Sequence, residues 1–166
     1  MDTLDCILSR KSVRKYSDQQ VSDEQIVTLL RAAMAAPTGK NVRPWEFVVV
    51  RDRAVLDSMA QELPYAKMLT QASVAIVICG DAEKSAYWYV DCSAATQNLL
   101  LAAENMGLGA VWTATYPYED RMDVCKRYLN LPDNILSLCV VPIGYPAKPF
   151  VPMDKYDITK IHNEKY

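Results

Sequence analysis

Apolar positions recur along the chain with two spacings, and the alternation between them divides it into elements. Ile26, Leu29, Leu30, Ala33 and Met34 follow the i, i+3, i+4, i+7, i+8 pattern and predict a helix with one buried stripe. Ser22 and Gln25 have capping-box spacing at its start, Val21 and Ile26 are placed to staple the entry, and Pro37-Thr38-Gly39 ends it. A short helix over Thr3 to Ser9 carries Leu4, Ile7 and Leu8 on one face. A third, capped by Asp52, has Leu56, Met59, Ala60 and Leu63 as its core face. Glu46 to Val50 is a β-branched run of strand length, and the unbroken apolar run Val74 to Cys79 predicts a central strand buried on both faces. The longest helix runs from about Tyr87 to Met106 and is closed by Gly107. Its Leu99 to Ala103 stretch is apolar all round and calls for cover on every side, part of it from a second subunit. Ala110 to Thr115 predicts a third strand, Asp120 to Leu129 a fifth helix, and Leu136 to Ile143 a fourth strand. Pro146, Pro149 and Pro152 exclude a helix after Tyr145, so the tail to Tyr166 is expected to lie extended across the other subunit. Taken alone, the alternation of helix and strand points to a parallel doubly wound sheet.

Composition narrows the class. A chain of 166 residues with 51% apolar content is long enough for one domain with its own core, here residues 1–145, followed by the tail 146–166. Eighteen Lys plus Arg against 20 Asp plus Glu give a net charge of −2, which lacks the basic footprint of a nucleic-acid binder. The longest apolar runs, Ala72 to Gly80 and Leu136 to Ile143, are too short to span a bilayer. The start carries acids before bases, unlike a signal peptide, so a cytoplasmic location is expected. The 5 cysteines are scattered with no CxxC pair and read as small buried hydrophobes in a reducing compartment. One histidine, His162, gives no basis for a Ser/His/Asp triad or a histidine-rich metal site, and no metal is expected.

Three segments could carry chemistry. Arg10-Lys11-Ser12-Val13-Arg14-Lys15 packs four bases and a hydroxyl into a short stretch. In an extended chain Arg10, Ser12 and Arg14 project to one side, suited to a phosphate or a polyhydroxyl chain; a solvated basic turn is the plain alternative. Pro37-Thr38-Gly39-Lys40-Asn41-Val42-Arg43-Pro44-Trp45 has a fixed shape and outward donors, and could equally be a simple connection. Gly107-Leu108-Gly109-Ala110-Val111-Trp112-Thr113 matches no phosphate-binding fingerprint.

In combination and order the segments say more. RKSVRKY after the first helix, then AAPTGKNVRPWEFVVV, then DCSAATQNLLLAAENMGLGAVW resemble the nitroreductase-like family of FMN-dependent oxidoreductases. The resemblance runs nearly the full length, through VPIGYP and the tail DKYDITKIHNEKY, and is strongest to the short, single-domain members. It implies an α+β fold with a central, mostly antiparallel sheet flanked by helices, and an intertwined homodimer with FMN at the interface. Arg10, Lys11, Ser12 and Arg14 match the segment that binds the FMN phosphate and ribityl chain. Pro37, Thr38, Gly39 and Asn41 match the loop that approaches the flavin from the other subunit, and Trp112, Thr113 and Ala114 the backbone that passes along the ring. Lys155 matches the base that closes over the phosphate, with Lys148 as the second choice. Where larger relatives carry an asparagine touching the ring, this chain reads ELPYAKML; where they carry Glu-Gly, it has Ala114-Thr115.

The implied activity is that of an NAD(P)H-dependent nitroreductase-type enzyme: hydride passes from NAD(P)H through flavin N5 to a small acceptor such as a nitroaromatic or quinone, by a ping-pong route. Flavin carries that chemistry itself, so no side chain need be catalytic. Flavin fragmentation or reductive dehalogenation is disfavoured, because the chain has little spare length for a lid. A non-catalytic flavin-binding sensor or store stands as the alternative, and a cofactor-free interaction module is what the local signals alone would leave.

Overall fold

Strand β2 (Val74–Asp81) is buried along its whole length and forms the middle of the sheet. In the computed structural model, which describes all 166 residues, β2 pairs antiparallel with β1 (Trp45–Val50) on one side and with β5 (Ile135–Gly144) on the other. Two short strands, β3 (Gly109–Ala110) and β4 (Thr113–Ala114), pair antiparallel with the far edge of β5. The alternation-based expectation of a parallel sheet is therefore wrong, and the antiparallel α+β arrangement implied by the resemblance is right. The reason is visible between β1 and β2. Val50 lies opposite Ala75, so α3 (Arg53–Glu62) leaves and re-enters the sheet at the same end. Arg53 closes that excursion by donating to the carbonyls of Leu69 and Ala72.

Alternate residues of β2 feed two cores. Val74, Ile76 and Ile78 pack in one with Leu29 and Ala33 of α2 (Asp23–Met34) and Ala95 and Leu99 of α4 (Trp88–Asn105). Ala75, Val77 and Cys79 pack in the other with Leu56 and Met59 of α3 and with Cys125 of α5 (Glu119–Leu129). The capping box of α2 forms as expected, with both Ser22 and Gln25 side chains engaged, and Asp52 caps α3 by accepting from Ala54 and Val55. Gly107 takes a positive φ of 72° just past α4, a turn that suits glycine. All five cysteines are free and buried; burial pushes the Cys92 thiol up to about 12 and the Cys125 thiol up to about 11. They stay protonated and pack as hydrophobes.

Two expectations need correction. In α1 (Thr3–Ser9) the buried residue is Cys6, whose thiol donates to the Leu101 carbonyl of α4. Leu4, Ile7 and Leu8 are 70%, 45% and 71% exposed, because nothing in this chain packs down on their face: Ile7 and Leu8 line an open cleft with the tail. The single strand expected over Ala110 to Thr115 is two, separated by Val111-Trp112. That pair lies across from Val141-Pro142, and Pro142 has no N–H to lend to a ladder. Beyond Gly144 the chain is held briefly, the Ala147 N–H donating to the Lys15 carbonyl at 3.0 Å. From Ala147 onward every residue is exposed, with one 3₁₀ turn at Ile158–Lys160. No helix is long and apolar enough to cross a membrane.

Candidate functional site

The basic segment after α1 runs beside β3. The Val13 N–H donates to the Ala110 carbonyl at 3.0 Å, and Ser12 bridges to Ala110 in parallel sense. Extended backbone sorts the side chains into two sets. Val13 is buried, and Lys11 donates from Nζ to Oε1 of Glu104, a buried carboxylate near the end of α4, at 2.6 Å. Arg10, Ser12 and Arg14 form the other set. The structure thus places Lys11 on Glu104, as a tether, and gives the side chains of Arg10, Ser12 and Arg14 no hydrogen bond or ion pair within the chain. Tyr16 anchors the end of the strip: its buried hydroxyl donates to the Val13 carbonyl at 2.7 Å and lies 3.1 Å from that of Pro142. Burial holds the Tyr16 phenol well above the usual range, so it remains a donor.

The Pro37–Arg43 loop is at the other end of α4. The Gly39 N–H donates to Oδ1 of the buried Asp91 at 3.0 Å, near the helix start. Lys40, Asn41 and Arg43 take positive φ values of 53°, 56° and 53°, a conformation that non-glycine residues adopt at some expense and that clusters at ligand clamps. Asn41 Oδ1 accepts from Arg43 Nε at 2.9 Å, and Thr38 Oγ1 accepts from the Arg43 N–H at 3.3 Å. Asp91 and Glu104 are thirteen residues apart on one helix, so the loop and the strip are separated by about 20 Å. One copy does not bring them together.

Between β4 and the segment that follows α3 lies an open cleft of 470 Å³ that unites Arg14 with Trp112, Thr113 and Ala114. Its other walls are Tyr65, Lys67, Met68 and Arg121. Sequence reasoning missed these four. For three of them the signal was available in ELPYAKML, read for what it lacks although Tyr65, Lys67 and Met68 stand within it. Three walls are cations and none is an acid. Lys67 donates to the carbonyls of Ala60 and Gln61 at 2.8 and 3.0 Å, while Arg14 is exposed. Lys155 is elsewhere, in an open 860 Å³ cleft between α1 and the tail that also has Ser9, next to Arg10, on its wall. Lys148 lines neither cleft.

The family model described as Nitroreductase family matches residues 7–64 and 58–145. The chain belongs to the nitroreductase family. A solved protein from Bacteroides thetaiotaomicron, provisionally named an NADH dehydrogenase/NAD(P)H nitroreductase, is 66% identical and superposes with a TM-score of 0.97 over 98% of this chain and 97% of its own. A protein of Archaeoglobus fulgidus with the same provisional name is 45% identical across 99% of both chains. A provisionally named nitroreductase from Desulfovibrio desulfuricans, solved in complex with FMN, is 28% identical with a TM-score of 0.85, covering 100% of this chain and 99% of that one. Nitroreductase relatives thus match both the fold and the whole span in which the strip, the loop and the cleft lie.

Proposed function

We propose that this nitroreductase-family chain is an FMN-dependent oxidoreductase that takes electrons from NAD(P)H and passes them to a small acceptor, such as a nitroaromatic or quinone, in two half-reactions. The observation that carries the reading is the cleft in which Arg14 and Lys67 meet the Trp112–Ala114 edge with no acid on the wall. That donor set fits FMN: cations and a hydroxyl suit a phosphate and a polyhydroxyl chain, and an exposed strand edge offers backbone groups to a planar ring with polar margins.

When bound, FMN supplies the electron-transfer chemistry itself. The chain's residues bind and orient it. Arg10, Ser12 and Arg14 hold the phosphate and ribityl end, Lys11 fixes their strip from behind, and Trp112, Thr113 and Ala114 line the ring. Lys155, which shares a cleft wall with Ser9, is favoured over Lys148 as the base that closes over the phosphate. An open cleft admits donor and acceptor in turn to one face, which is what a ping-pong route needs.

Pro37, Thr38, Gly39 and Asn41 complete the site from a second copy. Support for a homodimer comes from the 20 Å or so between loop and strip on one chain, and from exposed apolar groups at Leu4 and Leu8 of α1 and at Phe150, Val151, Met153 and Tyr156 of the tail. A surface of that kind marks an interface. The tail 146–166 is assigned to the partner's surface. Ending the chain before Pro146 is expected to weaken the dimer at least tenfold by analytical ultracentrifugation, while the circular dichroism of the domain persists. An undiminished dimer would refute the docking.

The deciding experiment is to denature the purified protein, identify the released chromophore, and follow NAD(P)H oxidation with and without acceptor. FMN near one per chain with an acceptor-dependent rate is the expected result. FMN without turnover would make the protein a flavin store, and no uptake of FMN would refute the reading.

A further inference from the structure

Arg121 stands apart from the other cations of the cleft in how it is held. It is the third residue of α5, within the first turn, where the helix dipole disfavours a positive charge. It forms no ion pair. Its guanidinium instead lies 3.8 Å from the centre of the Tyr118 ring and 5.2 Å from that of Tyr65, with one long hydrogen bond, Nη1 to the Ala114 carbonyl at 3.4 Å. Its Nε is buried without an acceptor. A partly buried cation against the dipole, with one backbone hydrogen bond and no counter-ion, breaks a local rule, and such breaks gather at functional sites. The two rings hold the guanidinium without neutralising it, and Nη2, which has no hydrogen bond and is not buried, is left for a carbonyl oxygen or an anionic ring edge. With Arg14 and Lys67 it makes three positive groups on one cleft wall.

We propose that Arg121 is a flavin-facing residue: its guanidinium supports the carbonyl-bearing edge of the ring seated along Trp112–Ala114 and favours the reduced, anionic cofactor over the oxidised one. This rests on the FMN reading above. The oxidised ring is neutral, whereas two-electron reduction places a negative charge on it at neutral pH, so an uncompensated cation in a partly desolvated cleft discriminates between the two states. Arg121 thereby sets how strongly the loaded protein holds its electrons, a property separate from how tightly it holds FMN. Tyr65 and Tyr118 are positioning residues that act through it.

The test compares wild type, Arg121→Gln and Arg121→Lys, each loaded with FMN. The midpoint potential is read by titration against a reference dye, and the affinity for oxidised FMN by quenching of flavin fluorescence. Arg121→Gln is expected to weaken binding of reduced FMN about tenfold relative to oxidised FMN, a fall of about 30 mV for a two-electron couple. Affinity for oxidised FMN should change less than threefold, and Arg121→Lys should recover most of the potential. Tyr118→Leu, which removes a stacking face and leaves the charge, should lower the potential in the same direction, and serves if Arg121→Gln does not fold. A variant that binds FMN at an unchanged potential, or that loses affinity for both redox forms equally, overturns the proposal and leaves the FMN reading standing. A wild type that takes up no FMN overturns both.

Discussion

Replacing Arg10 and Arg14 together with alanine is expected to lower FMN affinity at least a hundredfold and leave the fold intact. The strip is kept in place by other groups: Val13 by its N–H to Ala110, Lys11 by Glu104, and Tyr16 by its contacts with the Val13 and Pro142 carbonyls. Arg14 is exposed and Arg10 half-buried, so neither is needed for the core. Hydrogen bonds to a charged group contribute about 1.5–3 kcal/mol each, and each arginine can offer two to a phosphate. Two such residues lost therefore correspond to a change of a hundredfold or more. Fluorescence titration gives the affinity, and thermal unfolding without flavin checks the fold. The single variants sharpen the assignment. Arg10→Ala should act on affinity alone, since Arg10 does not line the ring cleft, whereas Arg14→Ala, at its wall, should also alter the flavin spectrum. Unchanged affinity in the double variant would remove the phosphate from this strip.

Much of the fold was legible because it is written in local spacing. The stripe of α2, its capping box, Asp52 at the head of α3 and the apolar run of β2 all occur where pattern and propensity agree. Strand direction was not legible. It depends on the end of the sheet to which each connection returns, and the contacts that hold that connection, such as those from Arg53 to carbonyls 16 and 19 residues away, are not local in sequence. The exposed face of α1 was misread for a related reason. Leu4, Ile7 and Leu8 have helical spacing for burial, but spacing does not say whether the chain itself supplies a surface to cover them.

The candidate site divides along the same line. Arg10, Ser12 and Arg14 share a side because extended backbone alternates, and that was readable. Lys11 belongs to the opposite set by the same rule, yet its partner Glu104 is 93 residues away. Tyr65, Lys67 and Arg121 reach the cleft from the turn after α3, the 3₁₀ helix that follows it and the start of α5, so only the packing of α3 against α5 brings them together. No local pattern flags a cation whose significance is that it lacks a counter-ion.

Gly109→Ala is the variant that most directly couples fold to function. A Cβ at Gly109 would stand 2.6 Å from Cγ1 and 2.7 Å from Cβ of Val13. Real carbon atoms do not approach so closely, and Val13 Cβ is bonded to the backbone of the strip, so the strip itself must move. Overpacking of this kind costs about 1–3 kcal/mol, which should appear as a lower midpoint in urea. The displacement carries Ser12 and Arg14, the neighbours of Val13, away from their places, so FMN affinity should fall by roughly tenfold in addition, although position 109 lies on neither cleft wall. Adding Val13→Ala removes the methyl group at 2.6 Å but keeps Cβ at 2.7 Å, so the double variant should regain part of the stability and part of the affinity, and not all of either. Coupling between the two positions is then measured as the departure from additivity. If Gly109→Ala lost stability with no change in FMN binding, the strip's seat on β3 and its contact with the cofactor would be separate matters. A parallel loss of both, with parallel partial recovery, would show that the close approach of two backbones, possible only at a glycine, sets where the arginines stand.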